Sequence, residues 1–176
     1  ALAAALPELR IVTFGSYPGY PDLCALAAQF TPTRLIPPSV SADDIMRLGY
    51  SGGTTGAPKS IPTTQRVSME CLRIMMAEWE WPNTPRILSC APLSHAGAAM
   101  TLPALLKGGS LLVLPRFEPV AVMTAIQEHR INCTMMVPTM IYALLDHPEF
   151  DRFDLSSLET VFYGASAISP ARLKEA

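Results

Sequence analysis

The sequence predicts an α/β protein whose sheet is largely parallel and flanked by helices. Short apolar runs of strand length alternate with longer segments whose apolar residues recur at three- and four-residue spacing. Strand, helix and strand at this spacing read as βαβ units, which need helices over the faces of a parallel sheet. The 176 residues are 49% hydrophobic and 16% charged, enough apolar surface for one core of domain size.

The elements follow in order. Leu9–Phe14 is a short apolar run, read as a strand. Residues 22–30 form a helix opened by Asp22, whose carboxylate suits an N-cap. Residues 31–44 carry three prolines and are a linker-like loop. Residues 45–51 are a weaker strand running into a glycine-rich stretch, and 64–81 are a long helix ended by Pro82. Val67, Cys71, Ile74 and Met75 share one face of that helix and are expected to point inward.

Residues 86–91 are a strand. A helix over 97–109 carries Pro103, which implies a kink or a late start. Residues 110–114 are a buried strand, and 118–130 an amphipathic helix with Val122, Met123 and Ile126 inward. In 131–137 Ile131, Cys133, Met135 and Val137 alternate with more polar neighbours, as in a strand. Residues 138–147 are helical, 158–163 a strand and 164–169 a loop. Ser169 can cap a final helix with Pro170 at its first position. The start at Ala1 and this late helix suggest a piece of something longer.

Composition narrows the function. A formal net charge of −2, with 13 scattered basic residues, argues against a nucleic-acid surface. No apolar run approaches the roughly 18 residues of a membrane span; the longest, 96–106, stops at Lys107. The first residues lack the basic segment of a signal peptide. Cys24, Cys71, Cys90 and Cys133 form no C-x-x-C pair and share no metal-like spacing with His95, His129 and His147, so buried reduced thiols in a cytoplasmic protein are expected. The methionines of 134–140 and 74–76 are read as core filler, and the acidic stretch 146–154 as a solvated loop rather than a metal site.

The chemistry concentrates in residues 50–60, YSGGTTGAPKS. Glycines let main-chain N–H groups approach a ligand, and successive N–H groups make an anion nest. Ser51, Thr54 and Thr55 add hydroxyl donors, and Lys59 a mobile positive charge suited to phosphate. The sum is a phosphate-gripping loop between a strand and a helix. The alternatives are a flexible surface turn and a solvated Lys59. The ordinary P-loop spacing fails, because counting from Gly53 the second glycine falls on Pro58, which has no N–H. Two more loops, Pro92–Gly97 and Gly164–Ser169, also leave predicted strand ends. If all three share one edge of the sheet they frame one pocket, since ligands of parallel sheets bind beyond the carboxyl ends of the strands. Gly164–Ser166 also fits a tight turn. A nucleophile elbow there fails, because position 168 is Ile168 and the next helix starts too late.

The stretch LGYSGGTTGAPKS resembles the phosphate loop of the adenylate-forming (AMP-binding) enzymes, a superfamily that includes acyl-CoA synthetases, aryl-CoA ligases, firefly luciferase and peptide-synthetase adenylation domains. Ser51, Gly52, Gly53, Thr54, Thr55, Gly56, Pro58 and Lys59 carry it. Pro92, His95 and Gly97 are similar to the family's Pro-x-x-His-x-x-Gly segment, and Gly164, Ala165, Ser166 and Ser169 to its Gly-Gly-Ala-Pro-Leu-Ser segment. Gly52 replaces a frequent Ser, Ser60 a frequent Gly and Ala167 the usual Pro.

The resemblance implies a fragment, residues 1–176, of the large N-terminal domain, without the downstream Tyr-Gly-x-Thr-Glu segment or the C-terminal domain. It implies an acid–thiol ligase using ATP, Mg²⁺ and coenzyme A to convert a carboxylic acid, a fatty acid by preference, to acyl-AMP and then acyl-CoA. Such a fragment is expected to be inactive alone. Ser51, Gly52, Gly53, Thr54, Thr55, Gly56 and Lys59 would bind the ATP phosphates, and His95, Gly97, Gly164, Ala165 and Ser166 would line the acyl and adenine pocket. The alternatives are a non-catalytic nucleotide or fatty-acid binding module and a peptide-synthetase adenylation domain. Raw sheet edges would favour self-association.

Overall fold

The computed structural model describes residues 10–31, 33–34, 36, 38–50, 59–94 and 96–176. The chain divides into two compact units, Ala1–Val40 and Ser41–Ala176.

In the first unit, helix α1 (Leu23–Ala27) starts where expected. The Asp22 side chain accepts from the Cys24 N–H at 2.9 Å and caps it. The expected strand at 9–14 does not form over its described residues. Thr13 makes a single bridge to Asp22, while Val12 and Phe14 are exposed. Its backbone partners lie just ahead in the chain: the Thr13 N–H donates to the Pro21 carbonyl at 3.0 Å, and the Thr13 carbonyl accepts from the Leu23 N–H at 2.8 Å.

The second unit opens with an antiparallel ribbon, β1 (Ile45–Tyr50) and β2 (Ser60–Thr64), in register from Tyr50↔Ser60 to Ile45↔Thr64, with a bulge between Ile45 and Arg47. Helix α2 (Gln65–Glu78) follows directly, Thr64 accepting from the Val67 N–H. Four parallel strands come next: β3 (Arg86–Ser89), β4 (Ser110–Val113), β5 (Cys133–Met136) and β6 (Thr160–Tyr163), in the spatial order β4-β3-β5-β6. The crossovers carry a 3₁₀ turn (Ala96–Met100), then α3 (Thr101–Leu106), α4 (Pro119–His129) and α5 (Pro138–Leu145). Helix α6 (Pro170–Glu175) closes the chain, with Ser169 accepting from the Arg172 N–H. The predicted α/β class, with a largely parallel sheet between helices, is the observed one.

Successive strand residues point to opposite faces, so two cores form. Leu88 and Met136 pack with Val122, Met123 and Ile126 of α4 and with Ile141 and Leu144 of α5. Ile87 and Cys133 pack on the other face with Met100 and Ala104, and Met75, Trp79, Trp81 and Phe162 close around them. The methionines of 135–140 and Met75 therefore serve the core, as expected.

Several expectations need correction. Strand β5 does not alternate: Cys133, Thr134 and Met136 are all buried, because a central parallel strand is covered on both faces. Strand β4 is only half-buried, because it is an edge. In α2 the inward face is Ser68, Leu72, Met75 and Met76, whereas Val67, Cys71 and Ile74 are exposed. Of the four residues expected inward Met75 alone packs on the core, because the apolar residues fall on two sides of this helix.

Helix α2 also stops before Pro82. Trp79 is extended, and the Trp81 indole N–H donates to the Met75 carbonyl at 2.8 Å. Both indoles then pack on Phe162, with ring centroids 4.7 and 4.9 Å away. The acidic stretch 146–154 is not merely solvated. Phe150 and Phe153 pack against the core, and Asp154 pairs with Arg130 at 3.1 Å.

All four cysteines are free; Cys90 and Cys133 are buried, but Cys24 and Cys71 are exposed. Burial, with the Glu159 carboxylate nearby, pushes the Cys133 thiol from 9.0 up to about 12. At pH 8 a thiol reagent should label Cys24 and Cys71 quickly, leaving Cys90 and Cys133 until the protein unfolds; fast labelling of all four would contradict this packing. The folded state holds the Cys133 proton longer than the unfolded chain does. Stability should therefore fall as pH rises from 9 toward 12, and Cys133→Ala should flatten that decline in denaturant midpoints.

Candidate functional site

Parallel strands put all their carboxyl ends on one edge, and two of the three predicted site loops leave from it. Pro92–Gly97 lies just after β3 and Gly164–Ser169 follows β6. Only β5 separates the two strands, so the loop bases lie about 10 Å apart at normal strand spacing.

The third loop has a different origin. The glycine-rich stretch does not run from strand to helix. In the chain it lies between β1 and β2, which pair as an antiparallel ribbon, and the helix begins only after β2. The reason is that residues 60–64 are extended and pair with β1. Ser51, Gly52, Gly53, Thr54, Thr55, Gly56 and Pro58 lie outside the described residues, as does His95. Lys59 is exposed, beside the last ribbon pair Tyr50↔Ser60.

The ribbon strands meet the loop after β3. A groove of about 510 Å³ is lined by Arg47, Leu48, Gly49, Tyr50, Ile61, Thr63 and Ser94. The tertiary structure thus brings the flanks of the glycine-rich stretch to the Pro92–Gly97 loop. Arg47 and Thr63 were not singled out in the sequence. The one available signal was an arginine inside an otherwise apolar strand.

The Pro92–Gly97 loop folds tightly against the end of β3. The Ser89 hydroxyl lies 3.4 Å from the carbonyls of both Ala91 and Gly97. Gly97 is buried, and a Cβ there would sit 2.3 Å from the Ala91 carbonyl oxygen and 2.8 Å from Ser89 Oγ. Glycine is the only residue this approach admits.

Across the edge, Gly164 is half-buried, with Met135 Cε 3.9 Å from where its Cβ would be. Ala165 has φ +69, a left-handed conformation that costs a non-glycine residue about 1–2 kcal/mol. It turns the chain sharply, so Ala165 and Ser166 stand exposed at the edge.

No group of three or more His, Cys, Asp or Glu among the described residues could hold a metal ion.

Gly97→Ala should destabilise the protein by about 1–3 kcal/mol, because the clash is with backbone rather than with a movable side chain. An unchanged urea midpoint would contradict the folded-back loop.

A family model for AMP-binding enzymes matches residues 6–176. The chain is 52% identical over 155 residues to the medium/long-chain-fatty-acid–CoA ligase FadD8 of Mycobacterium tuberculosis, covering 88% of this chain and 27% of the ligase. It is 37% identical over 137 residues to a feruloyl-CoA synthase of an Amycolatopsis species, covering 76% of this chain and 28% of that enzyme. Among solved structures, the amide bond synthetase McbA of Marinactinospora thermotolerans superposes with a TM-score of 0.80 at 28% identity, over 99% of this chain and 35% of that one. The chain therefore spans about a quarter of the length of the curated relatives it matches. Fold, strand-end loops and family match agree: this chain belongs to the AMP-binding enzyme family, as part of its N-terminal region, and its relatives are acyl-CoA ligases.

Proposed function

We propose that the protein carrying this segment is an ATP-dependent acid–thiol ligase that activates a fatty acid. The carboxylate attacks the α-phosphorus of ATP and expels pyrophosphate, and the acyl-adenylate then passes its acyl group to the thiol of coenzyme A. The observation that supports this reading is the groove in which the ribbon strands flanking the glycine-rich stretch meet Ser94 of the loop after β3. The 52% identity to a medium/long-chain-fatty-acid–CoA ligase supports a fatty acid as the substrate.

In this reading Ser51, Gly52, Gly53, Thr54, Thr55 and Gly56 wrap the β- and γ-phosphates, and Lys59 offsets the charge that grows on the leaving pyrophosphate. Mg²⁺ enters with ATP as the largest local counter-charge. His95, Gly97, Gly164, Ala165 and Ser166 line the adenine and acyl pocket, with His95 shaping it rather than acting as a base. The segment alone is inactive, and the four free thiols fit a cytoplasmic setting.

In the full-length protein, Lys59→Ala should lower acid-dependent pyrophosphate–ATP exchange by about 10- to 100-fold, the range expected for one lost charge-assisted contact. An unchanged exchange rate would remove Lys59 from the phosphate site.

We also propose that the isolated segment self-associates. Strand β6 ends the sheet with Val161 and Tyr163 exposed, beside an apolar groove of about 490 Å³ that includes Met136, Ile141 and Leu173. Sedimentation velocity should show dimers or larger species as concentration rises. A single monomer boundary throughout would refute it.

A further inference from the structure

The Gly164–Ser169 loop is held at both ends, and the second anchor involves residues to which no function has been attached. At its start, Tyr163 is registered against Met136 in the sheet. At its end, the Ser169 main-chain N–H donates to Tyr142 Oη of α5 at 3.2 Å. Arg172 of α6 lies over the Tyr142 ring, its guanidinium carbon 5.0 Å from the ring centroid. The same guanidinium donates to Asp146 Oδ1 at 2.8 Å, to the Tyr142 carbonyl at 3.4 Å and to Glu175 Oε2 at 2.8 Å. Ser169 in turn caps the helix that carries Arg172. The contacts form a closed ring: Ser169 positions Arg172, Arg172 steadies Tyr142, and Tyr142 holds Ser169.

A ring of this kind has mechanical work at this place. Between the two anchors, Ala165 sits in a conformation that alanine leaves when it is free to do so. A strained loop keeps its shape only while both ends are held. Freeing the Ser169 end lets Ala165 relax, and Gly164 and Ser166 move with it. A planar, multiply bonded guanidinium stacked on an aromatic ring is better suited to fixing a side chain than a flexible ammonium.

We propose that Tyr142, steadied by Arg172, is a positioning residue that sets the shape of the Gly164–Ser166 wall and thereby the enzyme's affinity for its nucleotide and acid. This rests on the reading of that wall as part of the substrate pocket.

The test uses the full-length protein, with KM for ATP and for the acid, kcat and melting temperature measured for four variants. Tyr142→Phe deletes the hydroxyl and keeps the ring under Arg172. Arg172→Lys keeps a charge near Asp146 and loses the planar stack. Both should raise KM for ATP and acid about fivefold, the scale of one lost hydrogen bond, while kcat changes less than about twofold. Ser157→Ala removes a buried hydrogen bond to the Ile131 carbonyl, 2.7 Å long, at the opposite edge of the sheet. It should lower the melting temperature and leave KM unchanged. Gly164→Val tests the wall itself and should raise KM.

If Gly164→Val raises KM while Tyr142→Phe and Arg172→Lys match wild type, the latch is wrong and the pocket reading stands. If Gly164→Val leaves KM unchanged, the pocket reading fails and takes the latch with it. If Ser157→Ala raises KM as much as Tyr142→Phe does, the effect is general loosening and the positioning role is overturned.

Discussion

Asn132 holds the amino edge of the sheet together. Its side-chain oxygen accepts from the Arg86 N–H at 2.7 Å, and its side-chain nitrogen donates to the Thr84 carbonyl at 3.2 Å and to Glu159 Oε1 at 3.1 Å. Its own backbone donates to the Arg86 carbonyl and accepts from Glu159 and Thr160. One buried amide thus ties β3, β5 and β6 where the strands begin. Parallel strands have no hairpin to set their register, so a side chain that reads the neighbouring backbones is an effective substitute. β3, β5 and β6 run the same way from this clamp, so their carboxyl ends emerge together and the Pro92–Gly97 and Gly164–Ser169 loops leave from one edge.

The two faces of the sheet support that edge differently. The α4–α5 face is an aliphatic core of fully buried side chains. The other face depends on two tryptophans stacked 6.0 Å apart and packed on Phe162. The Thr160 hydroxyl also donates to the Glu80 carbonyl at 3.1 Å. This second face therefore couples the end of α2 to β6, the strand that leads into Ala165. The site edge bears a tight glycine contact at Gly97 and a strained alanine at Ala165, whereas the opposite edge is fully hydrogen-bonded through Asn132. Strain gathered at one edge of a well-clamped sheet is the expected pattern for a site that must keep its shape.

Much of the fold was legible in the residues. Helix α4 was placed with its three inward residues, because one apolar face and a Glu-Pro start left little choice. Helices α5 and α6 and strands β3 and β6 were likewise found, each bounded by Pro, Ser or Gly. The failures share one cause. The first apolar run lacked a partner strand, α2 carried apolar residues on two sides, and β5 was polar enough to mimic a one-sided strand. Each of those outcomes depends on what lies across the gap, which local pattern does not encode.

By itself the sequence determined the class, because period and length distinguish strands from helices, and it determined the family, because a run of glycine, threonine, proline and lysine at fixed spacing has few other uses. Tertiary structure alone decided that the segments on either side of the glycine-rich stretch pair as a ribbon, that they meet Ser94, and that Tyr142 and Arg172 contact a loop more than twenty residues beyond Tyr142. Pairing partners and side-chain contacts between distant segments are set by which packing buries the most apolar surface with its polar groups satisfied, and that sum exists only once the whole chain has folded.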